Sequence, residues 1–243
     1  MSMRTAKSHR SRCQAVCLWM RKVIVKMSKT LDSLLESPLH AFGLAQRVAT
    51  PTADNRVCAA ELSHLGYLVL RGKPDDTSFM QGVSSVLGLA LPTQATHIAS
   101  SASAAVLWVS PDEWLLVCPR SQRDAVLAAL TEALRGVFAQ VVDNSGGLTT
   151  VRLSGPDHLL LLRQLSPFDF ESLALGRCAS TVASKAGLTV VRTDEAGVLL
   201  VFRRSFADYI WRLIERTARP YQLCITAPGY QADPVFAPLF EAI

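Results

Sequence analysis

Apolar residues along this chain recur with two periods, and each change of period marks a predicted element. Gly66-Tyr67-Leu68-Val69-Leu70-Arg71-Gly72 is a β-rich run ended by glycine. Pro74 suits the first turn of a helix, and Asp75 and Asp76 suit its positive end. Phe79, Val83, Val86 and Leu87 then follow at helical spacing, up to Gly88. Residues 90–103 form a Pro/Thr/Ser/Ala loop. Residues 105–109 and 114–118 flank Ser110-Pro111-Asp112-Glu113 as a hairpin. A helix is expected next, with Ser121 as N-cap and Asp124 in a capping-box position. Its inward face is Val126, Leu127, Leu130 and Leu134, and residues 137–142 read as a strand. The order β-α-β-β-α-β is that of a ferredoxin-like split unit.

The pattern then repeats. Residues 149–153 open a second copy, and Pro156 and Asp157 start a leucine-rich helix ending near Leu165. Ser166-Pro167-Phe168-Asp169 breaks it. Residues 178–183, 188–193 and 198–203 read as strands. Ser205 and Asp208 are expected to cap a helix with Phe206, Tyr209, Ile210, Leu213 and Ile214 on one face. Three markers recur in the same order: Leu70-x-Gly72 at Leu153-x-Gly155, Asp112-Glu113 at Asp194-Glu195, and Arg120-Ser121-x-x-Asp124 at Arg204-Ser205-x-x-Asp208. Their offsets, 155 − 72 = 83, 194 − 112 = 82 and 204 − 120 = 84, argue for duplication. The predicted fold is α+β: duplicated ferredoxin-like βαββαβ units with largely antiparallel sheets. The expected divisions are a basic, disordered extension over 1–27, an irregular lead-in over 28–57, units over 58–144 and 145–218, and a tail over 219–243.

Charge changes the picture only at the N-terminus. The chain carries a formal +5, but residues 1–26 hold seven Lys and Arg and no acid. The remaining residues then hold 25 − 7 = 18 basic and 20 acidic side chains, a net of −2, which is no footprint for nucleic acid. The longest apolar run in the basic segment, Ala15-Val16-Cys17-Leu18-Trp19-Met20, is too short for a signal peptide. A presequence-like segment, a disordered tail and a start codon placed too early stay open there. No run approaches a membrane span. Six cysteines with no CxxC pair predict a reducing compartment, the cytoplasm, and neither a disulfide framework nor a zinc site.

Candidate chemistry is sparse. Asn144-Ser145-Gly146-Gly147 looks like a nucleophile loop, yet none of His40, His64 and His158 stands in a partner context, and a tight turn explains the residues as well. Gly66…Gly72-Lys73 misses phosphate-loop spacing and has Pro74 where Ser or Thr is required. No dinucleotide fingerprint occurs. The two Arg-Ser-x-x-Asp tetrads are either anion sites at helix N-termini or repeated caps with a surface arginine. Arg203 doubles the charge of the second. Trp108, Trp114 and Trp211 read as core or interface anchors.

Several motifs carry a family resemblance. Glu36-Ser37-Pro38-Leu39-His40-x-Phe42, Leu65-Gly66-Tyr67-Leu68-x-Leu70-Arg71-Gly72, Trp108-x-x-Pro111-Asp112-Glu113-Trp114-Leu115-Leu116, Gly176-Arg177-Cys178 and Arg203-Arg204-Ser205-Phe206-Ala207-Asp208-Tyr209-x-Trp211 resemble the gamma subunits of bacterial heterotetrameric sarcosine oxidases, over about residues 33–217. The stretch from Val142-Asp143 to Pro156-Asp157 is similar to the folate-binding region of aminomethyltransferases, the T-protein of glycine cleavage. That family sets a functional aspartate on a strand after a Gly-rich turn. The matching stretch here, Lys185-Ala186-Gly187-Leu188-Thr189-Val190-Val191-Arg192, has none.

The resemblance implies a non-catalytic structural subunit with no catalytic, cofactor or metal residue of its own. The complex would demethylate sarcosine oxidatively to glycine, with tetrahydrofolate as one-carbon acceptor. FAD, FMN, NAD and zinc would belong to the alpha, beta and delta subunits, with alpha the most direct partner. Arg203, Arg204, Phe206, Tyr209 and Trp211 are the expected partner interface. The alternative is a stand-alone folate-binding accessory protein or an aminomethyltransferase-like enzyme.

Overall fold

The computed structural model describes residues 36–63 and 65–241. The extension expected over 1–27, the first part of the lead-in and His64 lie outside them. Chain contacts separate Met1–Ser37 from Pro38–Ile243, and the elements below belong to the second unit. In chain order they are β1 (Cys58–Glu61), β2 (Leu65–Arg71), α1 (Thr77–Leu87), β3 (Ile98–Ser100), β4 (Ala105–Ser110), β5 (Glu113–Pro119), α2 (Arg123–Ala133) and β6 (Gln140–Asp143). The second half holds β7 (Leu148–Ser154), α3 (His158–Leu165), β8 (Arg177–Ala183), β9 (Ala186–Arg192), β10 (Gly197–Arg203), α4 (Ala207–Thr217), β11 (Cys224–Ile225) and α5 (Ala237–Glu241).

Two sheets form. The first, β3-β4-β5-β2-β6, is antiparallel at every pairing. Its strands β4-β5-β2-β6 are the second, third, first and fourth of the βαββαβ order. The second sheet, β11-β1-β7-β10-β9-β8, repeats that arrangement in β9-β10-β7 but fills the fourth position with β1. β1 falls in the range expected for the first unit, yet it pairs antiparallel with β7, Cys58 opposite Ser154. Strand β11, within the expected tail, adds outside it in parallel. Without β1 the inner edge of β7 would carry unpaired backbone groups beside the core, a cost the pairing removes.

The sheets stack face to face with helices outside, in α/β/β/α layers. α1 and α2 cover the first sheet, with Phe79, Val83 and Leu130 against Leu68, Leu70 and Trp114. α3 and α4 cover the second, with Leu161, Leu162, Ile210 and Trp211 against Val151, Leu200 and Phe202. The inner faces meet through Leu65, Tyr67, Val117, Val191, Leu199 and Val201. Each such side chain contributes about 1.5–3 kcal/mol of burial. At the middle of this layer Tyr67 Oη and Thr150 Oγ1 share a 2.7 Å hydrogen bond. These positions are 150 − 67 = 83 residues apart, the repeat offset, so equivalent sites of the two halves touch each other.

The repeated glycines serve different ends. A Cβ on Gly72 would lie 2.7 Å from the Phe79 ring, so the glycine lets α1 close onto β2. Gly155 adopts φ +98°, and a Cβ there would stand 2.7 Å from the Arg56 carbonyl oxygen.

Helix starts divide between expectation and correction. Asp76 is the N-cap of α1, its carboxylate accepting from Ser78 N at 2.9 Å and Phe79 N at 3.2 Å, and Gly88 closes the helix in the left-handed region. Neither tetrad serine caps. The chain enters α2 and α4 through 3-10 turns, Arg120–Gln122 and Arg204–Phe206, and no side chain caps at Gln122 or Phe206. The turn carbonyls of Arg120 and Arg204 take the Arg123 and Ala207 N–H groups instead. Asp124 pairs with Arg123 at 2.8 Å and Asp208 with Arg212 at 2.9 Å, both exposed carboxylates of small energetic weight.

The C-terminal segment is fixed by a buried ion cluster. Arg152, on β7, is 2% exposed and donates to Asp233 at 3.0 Å and to Asp194 at 2.9 Å. Thr193 also donates to Asp233. The other Asp233 oxygen accepts from Val235 N and Phe236 N, which places Phe236 and Leu239 in the inter-sheet layer.

Asp76→Ala is expected to cost about 1 kcal/mol, whereas Ser205→Ala should stay within about 0.5 kcal/mol, read by denaturant titration of the purified chain. Asp233→Ala leaves buried Arg152 with Asp194 as its remaining carboxylate and should cost about 3 kcal/mol, seen as a Tm drop of roughly 6–12 °C.

Candidate functional site

The inter-sheet layer ends in an open cleft of about 820 Å³. Its first wall comes from Val69 on β2, Val109 on β4, and Glu113 and Leu115 on β5. The facing wall comes from Leu148, Ser180, Thr181, the run 187–189, Val201 and Phe202. Asn144, Gly146, Gly147, Arg203, Arg204 and Ser205 form the rim, where Arg204 N donates to Gly147 O at 2.8 Å. The walls are apolar because strand alternation turns one face of each sheet inward. The floor joins the buried cluster holding Leu115 and Val201.

Among the described residues the cleft has one lining carboxylate, Glu113, which sits 3.3 Å from the Arg71 guanidinium. Gly187, Leu188 and Thr189 bring to its wall the stretch in which the aminomethyltransferase-like pattern would set an aspartate. Among the described residues, no histidine or thiol lines it. The arrangement can bind an apolar group beside two cations; it offers no acid–base pair for proton transfer.

The expected interface residues separate. Arg203 and Arg204 are exposed on the cleft rim, and Phe206 and Tyr209 are 39% and 38% exposed nearby in the chain. Trp211 is a correction: it is 1% exposed, within the core over the second sheet, 6.3 Å from the Phe42 ring. α4 turns Ala207, Ile210, Trp211 and Ile214 inward. Tyr209 therefore faces out, and Phe206 precedes the helix, so the single apolar face expected to include both does not form. Trp114 is fully buried, its Nε1 donating to Pro92 O at 2.7 Å.

The remaining candidates are structural. Ser145 is buried; its Oγ accepts from Tyr67 N at 2.9 Å and its own N–H reaches Asp143 at 2.9 Å. His158 is buried with Nδ1 on Gly155 O at 2.7 Å, and burial holds its pKa below the usual histidine value. His40 is exposed, and His97 meets Arg177. Burial pushes the thiols of Cys58 and Cys118 up to about 11 and that of Cys178 to about 12, so none is a ready nucleophile. Residues 65–71, which carry the phosphate-loop-like spacing, are a strand. Among the described residues, no group of three or more His, Cys, Asp or Glu could hold a metal, and no helix is long and apolar enough to cross a membrane.

Sequence reasoning missed the cleft itself, because its walls come from strands far apart in the chain. A signal was present in the duplication: Val69 stands where the second copy has Arg152, so the two ends of the layer differ in chemistry.

Comparison with known proteins gives a consistent result. The family model described as "Sarcosine oxidase, gamma subunit family" matches residues 71–219. The sarcosine oxidase subunit gamma of an Arthrobacter species is 30% identical over 180 residues, 73% of this chain and 86% of the relative. The same subunit of Corynebacterium sp. strain U-96 is 30% identical over 179 residues, 72% of this chain and 86% of that one. A solved structure of heterotetrameric sarcosine oxidase from Corynebacterium sp. U-96, in complex with pyrrole 2-carboxylate, matches with a TM-score of 0.68 and 27% identity, covering 78% of this chain and 97% of that chain. The glycine cleavage aminomethyltransferase T of Bartonella henselae shares the fold, with a TM-score of 0.54 and 14% identity over 71% of this chain and 49% of that one.

Ser145→Ala should destabilise the chain by about 1–3 kcal/mol, because Tyr67 N–H loses its buried acceptor. A serine-reactive fluorophosphonate should leave the folded chain unlabelled, as scored by intact-mass spectrometry.

Proposed function

The chain belongs to the sarcosine oxidase gamma subunit family, and on that premise we propose that it is the non-catalytic structural subunit of a heterotetrameric sarcosine oxidase. The observation that supports the non-catalytic part is the chemistry of the cleft: among the described residues its one lining carboxylate is held by Arg71, and its walls are otherwise apolar or neutral apart from two arginines. Such a site binds but does not move protons.

In this reading the assembled enzyme demethylates sarcosine oxidatively to glycine. Oxygen is reduced to hydrogen peroxide, and tetrahydrofolate accepts the one-carbon unit. FAD, FMN and NAD belong to the alpha and beta subunits and zinc to delta. This chain packs most directly against alpha, with Arg203, Arg204, Phe206 and Tyr209 as its contact surface. Exposed aromatic and arginine side chains are the types that anchor protein interfaces. The four described cysteines are unpaired, which fits a cytoplasmic complex.

Co-expression with alpha, beta and delta should give one stable complex that releases peroxide on addition of sarcosine. A chain that stays alone through purification would defeat the assignment. Titration of the isolated chain with tetrahydrofolate should show no micromolar binding, the result that an accessory folate binder or an aminomethyltransferase-like enzyme would give instead.

A further inference from the structure

Strands β1 and β11 set two thiols side by side. They run parallel with Cys58 opposite Cys224, a register fixed by Cys224 N donating to Val57 O at 3.0 Å and Thr226 N donating to Ala59 O at 2.9 Å. Residues paired across a sheet point to the same face, and neighbouring strands lie about 4.8 Å apart. That separation falls within the roughly 4.4–6.8 Å between α-carbons that a disulfide spans. Both cysteines are buried and free. Burial raises the Cys58 thiol to about 11, and the neighbouring Cys224 adds to the shift. Cys118 and Cys178 stand opposite Gly66 and Val191 instead, so among the described cysteines this pair alone is in register. Cys224 Sγ lies 3.6 Å from Ala49 O. Among the described residues, Ala49 and Thr226 line an open hollow of about 220 Å³. These two residues flank Cys224, which at 6% exposure is the outer thiol of the pair, with Cys58 deeper at 2%.

We propose that Cys58 and Cys224 are a peroxide-responsive pair that closes to a disulfide between β1 and β11. The oxidant is hydrogen peroxide, which the assembled enzyme of the subunit reading releases, and in this respect the inference rests on that reading. The Cys224 thiolate attacks one peroxide oxygen and breaks the O–O bond, giving a sulfenic acid and hydroxide. The Cys58 thiol then attacks that sulfur and forms the S–S bond, and the sulfenic oxygen leaves as water. The two thiols together give up two electrons and two protons, and one peroxide becomes two waters. Burial holds both thiols above the ordinary cysteine value, so the pair oxidises slowly at neutral pH and about tenfold faster per pH unit as thiolate forms. The link fastens the root of the segment that carries Asp233 and Phe236 into the inter-sheet layer.

The test treats the full chain, purified under reductant, with hydrogen peroxide and maps its thiols by peptide mass spectrometry. A link between the Cys58 and Cys224 peptides that dithiothreitol reverses is expected, with Cys118 and Cys178 still reduced. Cys58→Ser should leave a sulfenic acid at Cys224 that dimedone traps. Links through Cys13 or Cys17, a pair that stays reduced in the folded chain, or a rate indifferent to pH overturn the assignment. The co-expressed complex tests the source of the oxidant: sarcosine turnover should form the same link, and catalase should prevent it. A complex that releases peroxide and keeps both thiols reduced overturns the inference and leaves the subunit reading standing. If the four chains do not assemble while added peroxide still links Cys58 to Cys224, the subunit reading falls and the pair stands as a peroxide-sensitive site.

Discussion

The stacking of two sheets on their inner faces is the constraint from which the rest of the molecule follows, and the Tyr67–Thr150 hydrogen bond marks its centre. Both residues lie among the apolar side chains of this layer, where an unpaired hydroxyl would cost about 1–3 kcal/mol. Each supplies the other's partner, and burial pushes the Tyr67 phenol well above its usual value. Each sheet thus has both faces covered, by helices outside and by the other sheet inside. That explains why β2, β5, β7 and β10 are almost entirely buried instead of alternating between buried and exposed positions.

The same constraint makes the two ends of the layer unequal. A duplicated chain presents two equivalent ends, and among the described residues the C-terminal segment fills one of them. Arg152 directs that segment to its own end, because a guanidinium at 2% exposure requires the carboxylates of Asp233 and Asp194. Val69, at the equivalent position, makes no such demand and leaves a cleft. Differences between equivalent positions of the two halves, Val69 against Arg152 and Val109 against Thr193, therefore give the two ends different chemistry.

Much of the fold was legible before the structure. The β2 run, the 105–118 hairpin, the α1 face of Phe79, Val83 and Leu87, and the three strands of the second half lie within a few residues of their predicted places. These elements declare themselves through local periodicity. Caps were less legible: Ser121 and Ser205 have the right neighbours, but the chain reaches α2 and α4 through 3-10 turns whose carbonyls take the first helical N–H groups. Trp211 was misread as interface for a related reason. Two residues along α4 separate it from exposed Tyr209, enough to turn it to the opposite side of the helix, and the phase is set by Ile210 and Ile214 packing on the second sheet.

The sequence by itself determined the α+β class, the duplication, the family motifs and the near-neutral charge of residues 27–243, because each depends on residues close in the chain or on simple counts. Only the tertiary structure decided that β1 completes the second sheet, that Asp233 reaches Arg152, and that Val69, Leu148 and Val201 line one cleft. Asp233 lies 233 − 152 = 81 residues from Arg152 in the chain, and the cleft spans residues 69–205. Contacts over such separations leave no periodic trace in a single sequence; they are selected by the area and charge that folding buries.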